Sequence, residues 1–187
     1  EQAVLTANGK DGLLTTSLRP HLLWGPRDNH LIPRLIARAR KRRLRIIGKG
    51  ENKVDLTYID NAAMAHVLAC DAMNKHRVAG NTYFISDDKP VVLWDWINTL
   101  LTQLELKPVK KRLPVKLAYA TGWSFEKIYT LLNKQDEPPM TRFLAMALSC
   151  SHYYDISRAK RDFRYAPIVS NDEGVRLTVE WLKKSDK

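Results

Sequence analysis

Ser17-Leu18-Arg19-Pro20-His21-Leu22-Leu23-Trp24-Gly25-Pro26-Arg27-Asp28 sits at the centre of how this 187-residue chain is organised. The run from Leu13 to Leu18 starts apolar, continues through β-branched Thr15 and Thr16, and predicts a buried strand. Pro20 has no backbone N–H to give to a central ladder, so pairing is expected to weaken there. An apolar tripeptide and a Gly-Pro pair follow, with Arg27, Asp28 and His30 just beyond. In an open α/β sheet, ligands bind where strands end and loops begin. The segment therefore reads either as the floor of a binding crevice or as a plain strand-to-helix loop.

The same residues resemble the Leu-Arg-Pro-x-x-(Ile/Leu)-(Tyr/Trp)-Gly-Pro-x-Asp segment of extended short-chain dehydrogenase/reductases, within them the 3-beta-hydroxysteroid dehydrogenase/isomerase family. Two further blocks follow in order: Ile47 to Asn61 with Ala65-His66, and Gly80-Asn81-Thr82-Tyr83-Phe84-Ile85-Ser86. Leu93-Trp94-Asp95-Trp96-Ile97-Asn98 and Pro138-Pro139-Met140-Thr141-Arg142-Phe143-Leu144 are also similar to bacterial relatives that reduce 2-alkyl-3-oxoalkanoates. The resemblance implies an α/β fold, the C-terminal part of a Rossmann-type extended short-chain dehydrogenase. A few strands with interleaved substrate-binding segments are expected over residues 1–107, and a mostly helical substrate-binding region over 108–187.

The family's Gly-rich dinucleotide turn is absent, and no Tyr is followed four positions later by Lys. By the resemblance, that catalytic pair would lie upstream of Glu1, so no catalytic residue is assigned within the chain. The implied activity is NAD- or NADP-dependent interconversion of a 3-hydroxy and a 3-oxo group on a bulky apolar substrate. A steroid or sterol and a 2-alkyl-3-oxoalkanoate both fit, in steroid or lipid metabolism of a bacterium. The fragment alone is expected to be inactive, the whole enzyme a homodimer. The resemblance places Pro20, His21 and Leu22 at the nicotinamide end. It places Trp24, Arg27, Asp28 and His30 on the substrate side, with Arg45, Asn52 and Asp55 as further polar contacts. The alternative is a catalytically inactive module that binds a hydrophobic ligand or an acidic partner.

Composition narrows the field. A hydrophobic content of 44% suits a globular protein with a sizeable core. No uninterrupted apolar run is long enough to cross a bilayer. Cys70 and Cys150 fall in separate helical patterns without metal-ligand spacing and are expected to be buried, reduced thiols of a cytoplasmic protein. No His-x-x-x-His, Cys-x-x-Cys or Gly-x-Ser-x-Gly occurs, which argues against a metal site or a self-contained hydrolase.

The net charge is +11, much of it between Arg34 and Arg45. Leu31, Ile32, Leu35, Ile36 and Ala39 form an apolar stripe at helical spacing, leaving Arg34, Arg38, Lys41 and Arg42 on the solvated side. Aromatics that could stack bases are missing there, so nucleic acid is disfavoured. An anionic substrate or acidic partner fits better.

The remaining chain predicts helices over about 1–7, 31–43, 62–74, 93–104, 115–133, 140–149, 156–163 and 172–184, and strands over 44–47, 54–59 and 80–86. Asp60 is placed as the N-cap of the 62–74 helix, Ser170 or Asn171 as that of the last. His66 is expected to be a packed, hydrogen-bonded residue rather than a ligand. Ala62, Ala65, Ala69 and Ala72 form a small-residue stripe for close approach to a sheet. Trp123, Phe125, Ile128, Tyr129 and Leu132 give the 115–133 helix an apolar face expected in the core, with membrane-surface association through that face left open. Arg164 stands where the family carries a glycine that supplies a left-handed turn.

Overall fold

The computed structural model describes residues 1–73 and 78–185. Its first elements are α1 (Gln2–Thr6), a 3-10 turn (Lys10–Gly12), β1 (Ser17–Pro20), β2 (Leu23–Trp24) and α2 (Leu31–Arg40). Then come β3 (Ile46–Ile47), β4 (Lys53–Val54), β5 (Thr57–Tyr58), α3 (Ile59–Ala72) and β6 (Thr82–Ile85). The last are β7 (Val91–Val92), α4 (Leu93–Gln103), β8 (Arg112–Leu113), α5 (Val115–Leu131), α6 (Arg142–Ala147), α7 (Ser157–Phe163) and α8 (Asn171–Ser185). The expected 62–74 helix reaches Asn74, which lies outside the described residues.

The chain divides into two compact units, one of Glu1–Ile32, Asp55–Pro90 and Tyr153–Lys187, the other of Pro33–Val54 and Val91–His152. The elements after Leu113 are helices, and the two compact units interleave along the sequence.

In the first unit β1 runs parallel to β6, with Ser17 opposite Thr82 and Pro20 opposite Ile85. The strand thus starts later than Leu13 and keeps its pairing through Pro20. Ser17 N–H donates to Asn81 O and His21 N–H to Ile85 O. Alternation by twos turns the odd-numbered N–H groups toward β6, so the one position without an N–H points away from it. β2 and β5 form a second parallel pair, Leu23 opposite Thr57 and Trp24 opposite Tyr58.

Helix α3 buries Ala62, Ala65, Ala69 and Ala72 as the small-residue stripe requires. Ala65, Ala69 and Ala72 join Tyr83 and Ile85 of β6 with Ile156, Ala159, Phe163 and Tyr165 in one core. Tyr83 meets Phe163 edge to face, ring centroids 5.1 Å apart. Cys70 follows Ala69 by about 100° of helical turn and is exposed, so it is not the buried thiol expected. His66 keeps an internal bond, Nδ1 to the Ala62 carbonyl at 2.7 Å. Because α3 begins at Ile59 with Tyr58 as its N-cap, Asp60 caps nothing. It lies in the first turn, where a carboxylate suits the positive helix end. Arg164 closes α7 at φ 57° and ψ 31°, adopting the left-handed conformation without a glycine. At the start of α8, Ser170 Oγ accepts the Glu173 N–H.

In the second unit the expected 54–59 strand is replaced by short pieces with different partners. β4 pairs antiparallel with β7, whereas β3 pairs parallel with β8. Trp94, Trp96, Ile97, Leu100 and Leu101 of α4 are buried, and Trp94 Nε1 donates to the Leu148 carbonyl at 3.1 Å. Cys150, beyond α6, is also exposed, again contrary to the buried thiol expected.

Helix α5 follows the expected orientation only in part, Phe125 and Tyr129 being half-buried. Its buried residues are Ala118 and Gly122, whereas Trp123, Ile128 and Leu132 are 48%, 47% and 59% exposed. A Cβ on Gly122 would lie 2.6 Å from the Thr141 carbonyl carbon, so α6 approaches closely over the small residues. No described helix is long and apolar enough to cross a membrane.

Candidate functional site

β1 and β6 end side by side at Pro20 and Ile85. Just past that edge the His21 N–H donates to the Ile85 carbonyl and to Thr57 Oγ1, each at 3.1 Å. Thr57 is fully buried. Its hydroxyl lies 2.6 Å from the His21 carbonyl and 3.1 Å from that of Ile85, and its single proton serves one of them at a time. A residue with one donor and two lone pairs thus binds three chain segments at the strand ends.

The His21 ring is held as firmly. Nδ1 lies 3.0 Å from the Asp55 carbonyl oxygen. A carbonyl only accepts, so Nδ1 carries the proton between them. Tyr154 meets the imidazole edge on at 5.1 Å and 77°, and stacks on Phe84 at 4.2 Å with a 6° interplanar angle. Asp55 is buried and accepts the Tyr154 N–H at 2.6 Å. Burial pushes its carboxyl above the ordinary range, opposed by that N–H and by the charge of His21.

One step further along β6, Asp87 accepts the Tyr58 N–H at 3.0 Å and Asn61 Nδ2 at 2.7 Å. Burial pushes Asp87 up to about 6, against the lowering effect of Asn61, the Tyr58 N–H and Trp24. Asn61 uses every polar site of its amide. Nδ2 also donates to the Val169 carbonyl, and Oδ1 accepts the N–H groups of Ile168 and Val169.

The structure brings Pro20, His21, Leu22 and Asp55 together at this edge, the Leu22 carbonyl accepting the Thr57 N–H. Trp24 lies in the core, 1% exposed, its ring 5.2 Å from Tyr58 and against Gly174 of α8. Arg27 and His30 are exposed. Asp28 accepts the backbone N–H groups of His30, Leu31 and Ile32 at 2.7, 3.1 and 2.8 Å, capping the start of α2. Gly25 between them has φ 146°, and a Cβ there would come within 2.6 Å of Ile59 Cγ2. Arg45 and Asn52 belong to the second unit. Arg45 Nη1 donates to the Arg42 and Leu44 carbonyls, and buried Asn52 donates to the Cys150 carbonyl at 3.3 Å. Asn52 Oδ1 is buried without a hydrogen-bond partner among the described residues.

Sequence reasoning passed over Thr57, Asn61, Asp87 and Tyr154. Asp87 carried a usable signal, a carboxylate just after an expected strand; Asn61 had none, because its partners lie 26 to 108 residues away. Chemically the edge offers an aromatic and imidazole surface beside two buried carboxyls of raised pKa. Among the described residues no group of three His, Cys, Asp or Glu side chains converges as a metal ion needs.

Comparison with known proteins bears on the family and the fold. The chain is 52% identical over 168 residues to a 2-alkyl-3-oxoalkanoate reductase of Shewanella oneidensis, covering 88% of this chain and 43% of that protein. It is 35% identical over 185 residues to a mouse sterol-4-alpha-carboxylate 3-dehydrogenase (decarboxylating), 96% of this chain and 51% of that one. The chain thus spans about half the length of these relatives. A solved dTDP-glucose 4,6-dehydratase from Streptomyces venezuelae, DesIV, superposes with a TM-score of 0.65 at 19% identity, over 98% of this chain and 48% of its own. That likeness concerns the fold, which is the C-terminal part of a Rossmann-type extended short-chain dehydrogenase. The model of the 3-beta hydroxysteroid dehydrogenase/isomerase family matches residues 1–115, more than half the chain, and the chain belongs to that family.

Proposed function

We propose that this chain is the substrate-binding part of an NAD(P)-dependent oxidoreductase that interconverts a 3-hydroxy and a 3-oxo group on a bulky apolar substrate, a 2-alkyl-3-oxoalkanoate in preference to a sterol. The observation that carries the reading is the 52% identity to the Shewanella oneidensis reductase over 88% of the chain, against 35% to the sterol enzyme. In this reading Pro20, His21 and Leu22 pack against the nicotinamide end of the cofactor, which supplies or accepts the hydride when bound. The backbone bonds of His21 to Ile85 and Thr57 fix that surface, and preorganisation of this kind raises the fraction of reactive encounters.

The substrate side draws on Arg27, His30 and Asp55 of the first unit. The mostly helical region after residue 108 supplies apolar surface, which Leu117, Trp123, Ile128 and Phe143 leave exposed in the second unit. Dimer formation by the complete enzyme belongs to the same proposal. So does a cytoplasmic location, with the α5 face able to rest on a membrane surface.

The test is an assay of the protein expressed from its complete gene, following dihydronicotinamide oxidation with 2-alkyl-3-oxoalkanoates, and nicotinamide reduction with sterol-4-carboxylates. Turnover of the oxo acid with either cofactor is expected. Failure with both substrate classes and both cofactors overturns the proposal and favours a non-catalytic binding module.

A further inference from the structure

The parallel pairing of β3 with β8 has an electrostatic result that hydride transfer does not require. It sets the residues leading into β3 beside those leading into β8, and Ile46 N–H donates to the Lys111 carbonyl at 2.9 Å. Both lead-in segments are basic. Between them lies a cavity of about 270 Å³ whose lining includes Arg42, Arg45, Lys107, Lys110 and Lys111, and no acidic side chain. Five like charges around one concavity repel one another, and a multiply charged anion relieves that repulsion.

The walls are held in place from behind. Asn98 of α4 clamps both polar backbone groups of Val109, its Oδ1 accepting the N–H at 2.7 Å and its Nδ2 donating to the carbonyl. On the other side Arg45 Nη1 is tied to the Arg42 and Leu44 carbonyls, which leaves the rest of its planar fork to face an oxyanion. The volume falls just below the roughly 300 Å³ at which sites for drug-sized molecules begin. It suits a phosphate or diphosphate group better than a whole lipid-like substrate.

We propose that this cavity binds a phosphate-bearing small anion, with a diphosphate as the best simple match. The proposal does not rest on the oxidoreductase reading, and its test needs no turnover.

Calorimetric titration of the chain with inorganic diphosphate at low salt is expected to show saturable binding that weakens as salt is raised. The Lys107→Gln/Lys110→Gln variant should bind roughly tenfold more weakly, as expected when charge-assisted hydrogen bonds are lost at a partly exposed site. Its circular dichroism and its melting without ligand should match the parent. Lys107→Arg/Lys110→Arg should keep the affinity. Co-sedimentation with phosphatidylcholine vesicles, with and without phosphatidic acid, identifies the source of the phosphate. Diphosphate-competed pelleting with phosphatidic acid alone identifies a lipid headgroup, and diphosphate binding without pelleting identifies a soluble phosphate. Absence of a saturable response, or equal affinity in the Gln variant, overturns the proposal. So does capture of an RNA oligonucleotide with no response to diphosphate.

Discussion

Asn61 Nδ2 donates to Asp87 Oδ1 at 2.7 Å inside the first unit. The same amide also holds the Ile168–Val169 backbone on both its N–H and C=O sides. One side chain therefore joins the start of α3, the end of β6 and the approach to α8. Replacing it with Ala strands several buried partners, each costing about 1–3 kcal/mol when left unpaired. Asn61→Ala should lose on the order of 4 kcal/mol in urea unfolding. A midpoint within error of the parent would show that these bonds contribute nothing net.

Asp87 gives the fold a pH dependence of definite sign. Its carboxyl goes from an ordinary 3.8 up to about 6 in the folded chain, chiefly through burial. As pH rises through that window the unfolded chain releases the proton first, so the folded state binds more protons and stability falls. The shift of about two units corresponds to on the order of 3 kcal/mol, fully lost above the folded pKa. Asp87→Asn should flatten this part of the stability–pH curve, read from denaturant midpoints at pH steps across the window. A parallel curve in the variant would assign the slope elsewhere.

Gly122 decides how closely α6 lies on α5. Alanine there gains roughly 1 kcal/mol of helix propensity, but its Cβ would sit 2.6 Å from the Thr141 carbonyl carbon, a backbone atom that cannot rotate away. Overpacking costs of about 1–3 kcal/mol should win. The expected result for Gly122→Ala is a lower melting temperature with increased binding of an apolar dye. A rise in melting temperature would mean that the helices separate at no cost.

Asp28 offers a way to separate a cap from a substrate contact. Its carboxylate accepts three backbone N–H groups at the head of α2. Asp28→Ala should cost about 1 kcal/mol, and Asp28→Ser, which keeps an accepting oxygen, should restore most of it. If the complete enzyme's KM rises equally in both variants while stability recovers in the Ser form, the carboxylate touches substrate as well.

Helices were the most legible part of the chain. Apolar spacing located all of them, because a helix is specified by neighbours three and four residues away, and errors were confined to their ends. Strands were less so. The Val54–Ile59 alternation looked like one strand, yet Lys53–Val54 pairs with Val91–Val92 while Thr57–Tyr58 pairs with Leu23–Trp24. Pairing partners far along the chain leave no local trace. Orientation was only partly right at α5. A local reading sends all its large apolar residues to the core, but a single glycine admitted a neighbouring backbone, Phe125 and Tyr129 beside it are half-buried, and Trp123, Ile128 and Leu132 stay exposed.

At the strand edge, four residues that the motif resemblance named, Pro20, His21, Leu22 and Asp55, lie together. It could not tell Trp24, which fills the core, from Arg27, which faces solvent. It also missed Thr57 and Asn61, whose importance lies in the number of bonds one polar group makes.

The uncovered face of α5 and α6 has a colloidal consequence. Leu131 and Phe143 are 85% and 82% exposed, so two copies that meet there would gain by sticking. The net charge of +11 opposes that contact, acting over a Debye length of about 10 Å at 0.1 M salt and about 3 Å at 1 M. Concentrated salt, or alkaline conditions that neutralise the lysines, should therefore turn a dispersed preparation into a self-associating one.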